Sequence, residues 1–128
     1  MDELQQKPSQ DGTLMAFLSY ASCFVGLPLW IIPMVQKNDA FALYHAKNAA
    51  IAWAWLFVGF GLYLCSSLTI GLLTFGIASL CCMPLVFVQW IPMIHGFILV
   101  ANGKQEAPFL TFGLGQSLFS GLQIDAPR

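Results

Sequence analysis

Apolar residues fill two long uncharged windows of the chain. No Asp, Glu, Lys or Arg occurs between Asn48 and Gly103, and a second uncharged window runs from Gly12 to Gln36. A helix that crosses a bilayer needs about 20 predominantly apolar residues. The longer window therefore has room for two spanning helices and a turn, and the shorter window has room for one more.

This pattern predicts an all-α integral membrane protein with three transmembrane helices, over residues 13–35, 50–68 and 74–100. Gly26 and Pro28 predict a bend in the first span, which a membrane helix tolerates when neighbouring groups satisfy the freed carbonyls. The turn between the last two spans is expected around residues 66–71. A four-span alternative would divide the last span near Pro84 into pieces of about 14 to 17 residues, at or below the usual length. Three spans are favoured.

The remaining chain forms short segments around the membrane domain of residues 13–103. Residues 1–12 are a polar amino-terminal tail. The dipeptide Asn102-Gly103 is a helix stop, and residues 104–128 follow it. Their apolar side chains alternate with glycine and serine, which predicts an interfacial segment that lies on the membrane rather than across it.

Composition supports the membrane assignment and excludes other classes. The chain is 58% hydrophobic and 9% charged, whereas soluble domains carry about 25% charged residues. The net charge of −1 provides no basic surface for nucleic acid. The four cysteines lie in apolar segments without a C-x-x-C or Cys/His spacing, which predicts buried thiols and no metal site.

The basic residues predict an orientation. With three spans, the first loop and the carboxyl-terminal tail share a face that carries Lys37, Lys47, Lys104 and Arg128, while the opposite face carries Lys7. Cytoplasmic loops are enriched in Lys and Arg. The carboxyl terminus is therefore expected in the cytoplasm and the amino terminus outside.

The first loop, QKNDAFALYHAKN, is the main candidate for a functional site. Asn38 and Asp39 can cap a following helix. The rest predicts a short interfacial turn at the level of the lipid headgroups, where a lysine extends its charge outward. Its aromatic and cationic side chains suit lipid headgroups or a partner protein, and the candidate recognition residues are Lys37, Asp39, Phe41, Tyr44, His45 and Lys47.

Two polar side chains, Gln89 and His95, are predicted at depth as intramembrane contacts. Ionisable residues inside a membrane suggest function, and a pair of histidines on two helices can bind haem. Nothing in the sequence resembles a carboxylate that supports His45 or His95 as a ligand, so we expect no cofactor and no metal. The chain also has no acidic pair, no Ser/His/Asp set and no G-x-S-x-G, which predicts that it is not an enzyme.

Several motifs of the chain resemble those of a known family. They are the L-S-Y of residues 18–20, Asp39, the aromatic-H-A-K-N of residues 44–48, and the A-N-G-K with Pro108-Phe109 after the last span. Over roughly residues 13–118, the sequence is similar to small bacterial three-span membrane proteins. These are distantly similar to the channel-type subunit of the chloroplast inner-envelope import machinery.

The resemblance implies a three-span fold in the bacterial cytoplasmic (inner) membrane. The family includes the magnetosome membrane proteins MamF and MmsF, which are implicated in the size and shape of magnetite crystals. That branch is more acidic before the aromatic-histidine element, where this chain has only Asp39.

From these observations we expect an accessory or scaffold subunit of a larger membrane complex, in contact with lipids and with other membrane proteins or further copies. The alternatives are a channel or translocation component and a magnetosome-type biomineralisation protein. A pore should direct Ser66, Gln89 and His95 into one lumen. A scaffold should bury them and present Tyr44, His45 and Lys47 outward.

Overall fold

The computed structural model describes residues 9–122, and in this part of the chain every regular element is a helix. Most of the predicted polar tail and the end of the predicted carboxyl-terminal tail, residues 123–128, lie outside the described residues. The elements are α1 (Gln10–Val25), α2 (Ile31–Gln36), α3 (Ala40–Leu73), α4 (Ile77–Val88), α5 (Ile91–Ala101) and α6 (Leu114–Leu118). The predicted all-α class is confirmed for these residues.

A long hairpin dominates the structure. Helix α3 has 34 residues, which corresponds to about 51 Å at the usual rise per residue. Helices α4 and α5 return beside it. By length and composition, Ala40–Leu73 and Ile77–Ala101 can each cross a membrane. The structure thus has two candidate spanning helices where the sequence predicted three.

Residues 13–35 do not form the single helix predicted for the first span, because α1 and α2 are separated by residues 26–30. Helix α1 ends at Val25 because Gly26 adopts a left-handed conformation (φ 75°) and its N–H donates to the Ser22 carbonyl at 2.9 Å. This is a common way to end a helix. Pro28 follows and disfavours helical backbone at the residue before it. The bend expected from Gly26 and Pro28 is therefore a full break.

After the break, α2 carries the chain back towards the start of α1. Ser9 and Asp39 are the N-caps of α1 and α3, and their side chains are hydrogen-bonded to each other at 2.7 Å. Tyr20, further along α1, contacts His45 of α3. Helix α1 therefore runs alongside the first part of α3 in the same direction. Ser9 and Asp39, the two ends of residues 9–39, lie at the same end of the molecule.

The predicted interfacial loop is shorter than expected. Only residues 37–39 connect α2 to α3, and residues 40–48 form the first turns of α3. The expected cap is present at Asp39, whose Oδ1 accepts from the Ala42 N–H at 3.0 Å. A capped start followed by a stretch without Gly or Pro favours helix from Ala40 onward.

The hairpin turn lies at residues 74–76, beyond the predicted 66–71. The polar side chains of the predicted turn are compatible with helix because they bond within it: Thr69 Oγ1 donates to the Cys65 carbonyl at 2.9 Å. The actual turn uses left-handed backbone at Phe75 (φ 51°) and Gly76 (φ 86°). Glycine adopts this conformation at little cost.

Pro84 does not divide the returning arm. It lies inside α4, and the break between α4 and α5 falls at residues 89–90. Pro92, in the first turn of α5, lacks the N–H that would bond to the carbonyl four residues earlier. The irregularity therefore precedes the second proline, and both helices still form one arm of the hairpin.

The packed core lies at the end of the hairpin where the chain begins. Small side chains of α1 and α3 let these helices approach closely, and Tyr20 lies over Gly96 of α5. The main buried cluster consists of Ala16, Tyr20, Cys23, Phe41, Ala49, Ala52, Met93 and Val100. Beyond Ala52 the only buried residue of α3 is Gly71, and α4 has none. The far part of the hairpin therefore exposes apolar side chains.

Candidate functional site

The residues of the predicted recognition site lie at the start of α3, and most of them face inward. Phe41, His45 and Lys47 are buried, with His45 fully enclosed. Lys37 and Asp39 precede the helix and are half-buried, as is Tyr44. The structure therefore places this stretch in the core of the bundle rather than on an outward-facing loop.

His45 uses both ring nitrogens within the protein. Its Nε2 lies 2.8 Å from the carbonyl oxygen of Lys104, and its Nδ1 lies 3.3 Å from the hydroxyl of Tyr20. A carbonyl oxygen can only accept, so Nε2 carries the hydrogen. The neutral tautomer then leaves Nδ1 free to accept from Tyr20. The ring of Phe41 packs edge-on against the imidazole at 4.6 Å between centroids.

The inward face of α3 holds residues 104–122, which follow α5 and which we call the C-terminal segment. Besides the His45 contact, Gln116 Nε2 donates to the Tyr44 carbonyl at 3.1 Å, and Lys47 Nζ donates to the Leu122 carbonyl. These bonds join side chains to main-chain oxygens of the opposite element. Tyr44 to Lys47 therefore bind the chain's own carboxyl-terminal part.

Gly115 allows this segment to touch the backbone of α3. A Cβ added at Gly115 would come within 2.6 Å of the Lys47 carbonyl oxygen and 2.8 Å of the Asn48 nitrogen. Any larger residue would require α6 to move outward. The absence of a side chain at this position is what lets the C-terminal segment dock.

His95 holds the same segment from the other arm of the hairpin. Its Nδ1 accepts a hydrogen bond from the Phe109 N–H at 2.9 Å. The two histidines thus act on different points of the C-terminal segment and do not converge on one ligand. Within residues 9–122, no group of three or more His, Cys, Asp and Glu side chains is placed to hold a metal ion.

The other polar residues predicted at depth are separated from one another. Gln89 lines an apolar crevice of about 250 Å³ near the end of α1. Ser66 lines a different, much smaller pocket near the hairpin turn. Gln89, Ser66 and His95 therefore lie at three separate positions, and a single chain does not bring them into one lumen.

Sequence reasoning missed several residues of this arrangement. The sequence pattern identifies Tyr20 only as part of the L-S-Y motif, and it assigns no role to Ser9. It places Gly115 and Gln116 in an interfacial tail without a partner. A serine directly before a predicted helix, as Ser9 is before α1, is a typical N-cap. An isolated glutamine in an apolar tail, such as Gln116, indicates a polar partner. The partners themselves are distant in sequence.

Over residues 9–122, the fold and the site define an all-helical structure with two candidate membrane-spanning helices and a C-terminal segment docked on the first turns of the longer one. No family model, curated protein or solved structure matches the chain.

Proposed function

We propose that this chain is a small non-enzymatic integral membrane protein that acts by association, as an accessory or scaffold subunit of a larger membrane complex. The observation that carries the proposal is the apolar crevice next to the end of α1. It is lined by Cys23, Leu56, Phe57, Phe60, Val86, Gln89 and Trp90. Helix α1 ends at Val25 while α3 continues to Leu73. The crevice therefore lies at the end of α1, beyond which only α3 and α4 pack together; we call this part the bare hairpin.

The length of the bare hairpin supports a position in the bilayer. From Trp53 to Leu73, α3 leaves all residues but Gly71 at least partly exposed. This stretch of about 20 residues corresponds to about 30 Å, the thickness of the hydrocarbon core. Apolar side chains exposed on the faces of this helix that α4 does not cover are stable in lipid and costly in water.

Gln89 supports a protein as the occupant of the crevice. Its Oε1 is buried and accepts no hydrogen bond from the described residues. The terminal torsion of a glutamine is soft, so the amide can turn this oxygen towards the crevice. Hydrogen bonds from polar side chains help membrane helices associate. The favoured occupant is an apolar helix of another membrane protein that supplies a donor to Gln89.

The basic residues support an orientation in the bacterial cytoplasmic membrane that the resemblance implies. Lys37, Lys47 and Lys104 lie at the end of the molecule where α3 begins, and this end is proposed to face the cytoplasm. Ser9 lies at the same end. The proposed orientation therefore puts the start of α1 on the cytoplasmic side, in place of the outside position expected from three spans.

The test is extraction of the full-length protein in a mild detergent at native expression level, followed by native mass measurement and identification of bound proteins. We compare Val86→Phe and Gln89→Leu, which change the crevice, with Val58→Phe, which adds the same bulk on an exposed face of α3. The proposal expects a discrete complex that both crevice variants lose and the control retains. The proposal fails if the protein is isolated without any bound protein, or if both crevice variants retain the complex.

A channel or translocation component is the alternative, and it requires several copies because the polar side chains of one chain do not converge. A homo-oligomer without other proteins in the same experiment would favour it, and bilayer conductance would then be measured. The magnetosome-type role rests on the sequence resemblance alone.

A further inference from the structure

Lys47 is an unusual charged residue in this fold. Among the described residues it is the only Lys, Arg, Asp or Glu that is buried, with 7% of its surface exposed. The one hydrogen bond it donates in this part of the chain goes to the neutral carbonyl of Leu122. A buried charge is costly unless it has an ionic partner. The described residues supply no carboxylate hydrogen-bonded to it.

Lys47 also lines an open groove of about 350 Å³ between α3 and the C-terminal segment. One wall is the helical face of α3, and the other carries two amide side chains. The lining residues are Ala40, Leu43, Tyr44, Lys47, Gln105, Gln116 and Leu122. The groove thus combines one ammonium group with a phenol and amides that can donate further hydrogen bonds.

We propose that this groove binds a phosphate group, with Lys47 as its cation. An ammonium group has three hydrogens to donate. The Leu122 carbonyl takes one of them, which leaves two for phosphate oxygens. Lysine binds phosphate as a point charge, and the groove has room for the group together with part of the molecule that carries it. The site goes beyond the proposed assembly role and does not depend on it.

The phosphate has two possible sources, a phospholipid headgroup or a soluble phosphate compound. An intramolecular competitor is Asp125, three residues after Leu122 in the sequence and outside the described residues. The experiment therefore uses the full chain and separates these three occupants of the groove.

The first measurement is native mass spectrometry of the full-length protein extracted in an uncharged detergent, which counts retained phospholipids. The second is its melting temperature during titration with inorganic phosphate, against chloride at the same ionic strength. We expect a retained phospholipid that phosphate displaces, or, for a soluble source, a melting temperature that rises with phosphate and no retained lipid. Lys47→Met should weaken phosphate binding roughly tenfold or more, as expected for loss of a charge-assisted hydrogen bond.

The control variant is Lys104→Met, which removes an exposed lysine at the same end and should bind as the unaltered chain does. The proposal is overturned if the unaltered protein neither retains phospholipid nor responds to phosphate, a result that does not depend on whether any variant folds. Equal binding by Lys47→Met overturns it as well. A phosphate response that appears only in Asp125→Asn would assign the groove to that carboxylate and also overturn the proposal.

Discussion

Ser9 and Asp39 are N-caps of two different helices and are hydrogen-bonded to each other, with Ser9 Oγ donating to Asp39 Oδ2 at 2.7 Å. Each side chain also caps its own helix, Ser9 through the Gly12 N–H at 2.9 Å and Asp39 through the Ala42 N–H at 3.0 Å. The carboxylate thus lies beside two helix N-termini, where negative charge is favourable. This contact fixes the start of α1 next to the start of α3.

Asp39→Ala should lower the free energy of unfolding by about 1 to 2 kcal/mol, because it removes one cap and the partner of the other. Ser9→Ala should cost about 1 kcal/mol, and the double variant should cost less than the sum of the two. Denaturant unfolding in detergent micelles measures these differences. Asp39→Asn is the control, since asparagine caps equally well. Strict additivity would mean that the two caps act independently.

The return of residues 9–39 to one end predicts the membrane topology. In a cysteine-free background, Ser9→Cys and Lys104→Cys should react with an impermeant thiol reagent from the same side of the membrane. Phe75→Cys, at the exposed hairpin turn, should not react from that side. Labelling of Ser9→Cys and Lys104→Cys from opposite sides would contradict this arrangement and restore three spans.

Gly115→Ala should displace the C-terminal segment, because the new methyl group overlaps the backbone of α3 at Lys47. Overpacking of this kind costs about 1 to 3 kcal/mol. We expect faster proteolysis within residues 104–122 and a lower melting temperature. Gly121→Ala is the matched control, since a Cβ there meets open space. Equal protease resistance of the two variants would contradict the close contact.

His45→Phe should destabilise the protein by about 1 to 3 kcal/mol, because it leaves the Lys104 carbonyl and the buried Tyr20 hydroxyl without their partner. The aromatic contact with Phe41 is kept, so the loss reports the hydrogen bonds. Tyr20→Phe removes only the longer bond of 3.3 Å and should cost less. The free energy of unfolding in micelles compares them. A larger loss for Tyr20→Phe would mean that the Lys104 contact contributes little.

The candidate site was only partly predictable, and the reason can be seen residue by residue. The stretch from Tyr44 to Lys47 is recognisable in the sequence because polar side chains interrupt apolar sequence there. The sequence predicts that these side chains face outward, since an aromatic and cationic loop usually lies at an interface. Its partners are far away in sequence, Lys104 59 residues after His45 and Gln116 72 residues after Tyr44, and no local pattern pairs them.

The sequence by itself determined the local features: the helical class, the long apolar arms, the Asp39 cap and a change of direction at Gly26 and Pro28. These follow from hydrophobicity, capping and backbone preferences of neighbouring residues. Only the tertiary structure decided that α1 packs parallel to the first part of α3 and does not form a separate transmembrane span. It also decided that the start of α3 holds the C-terminal segment. Both features depend on contacts between residues that are far apart in the sequence, such as the contact of Gly115 with the backbone of α3. Such contacts contribute energy only once the chain has folded.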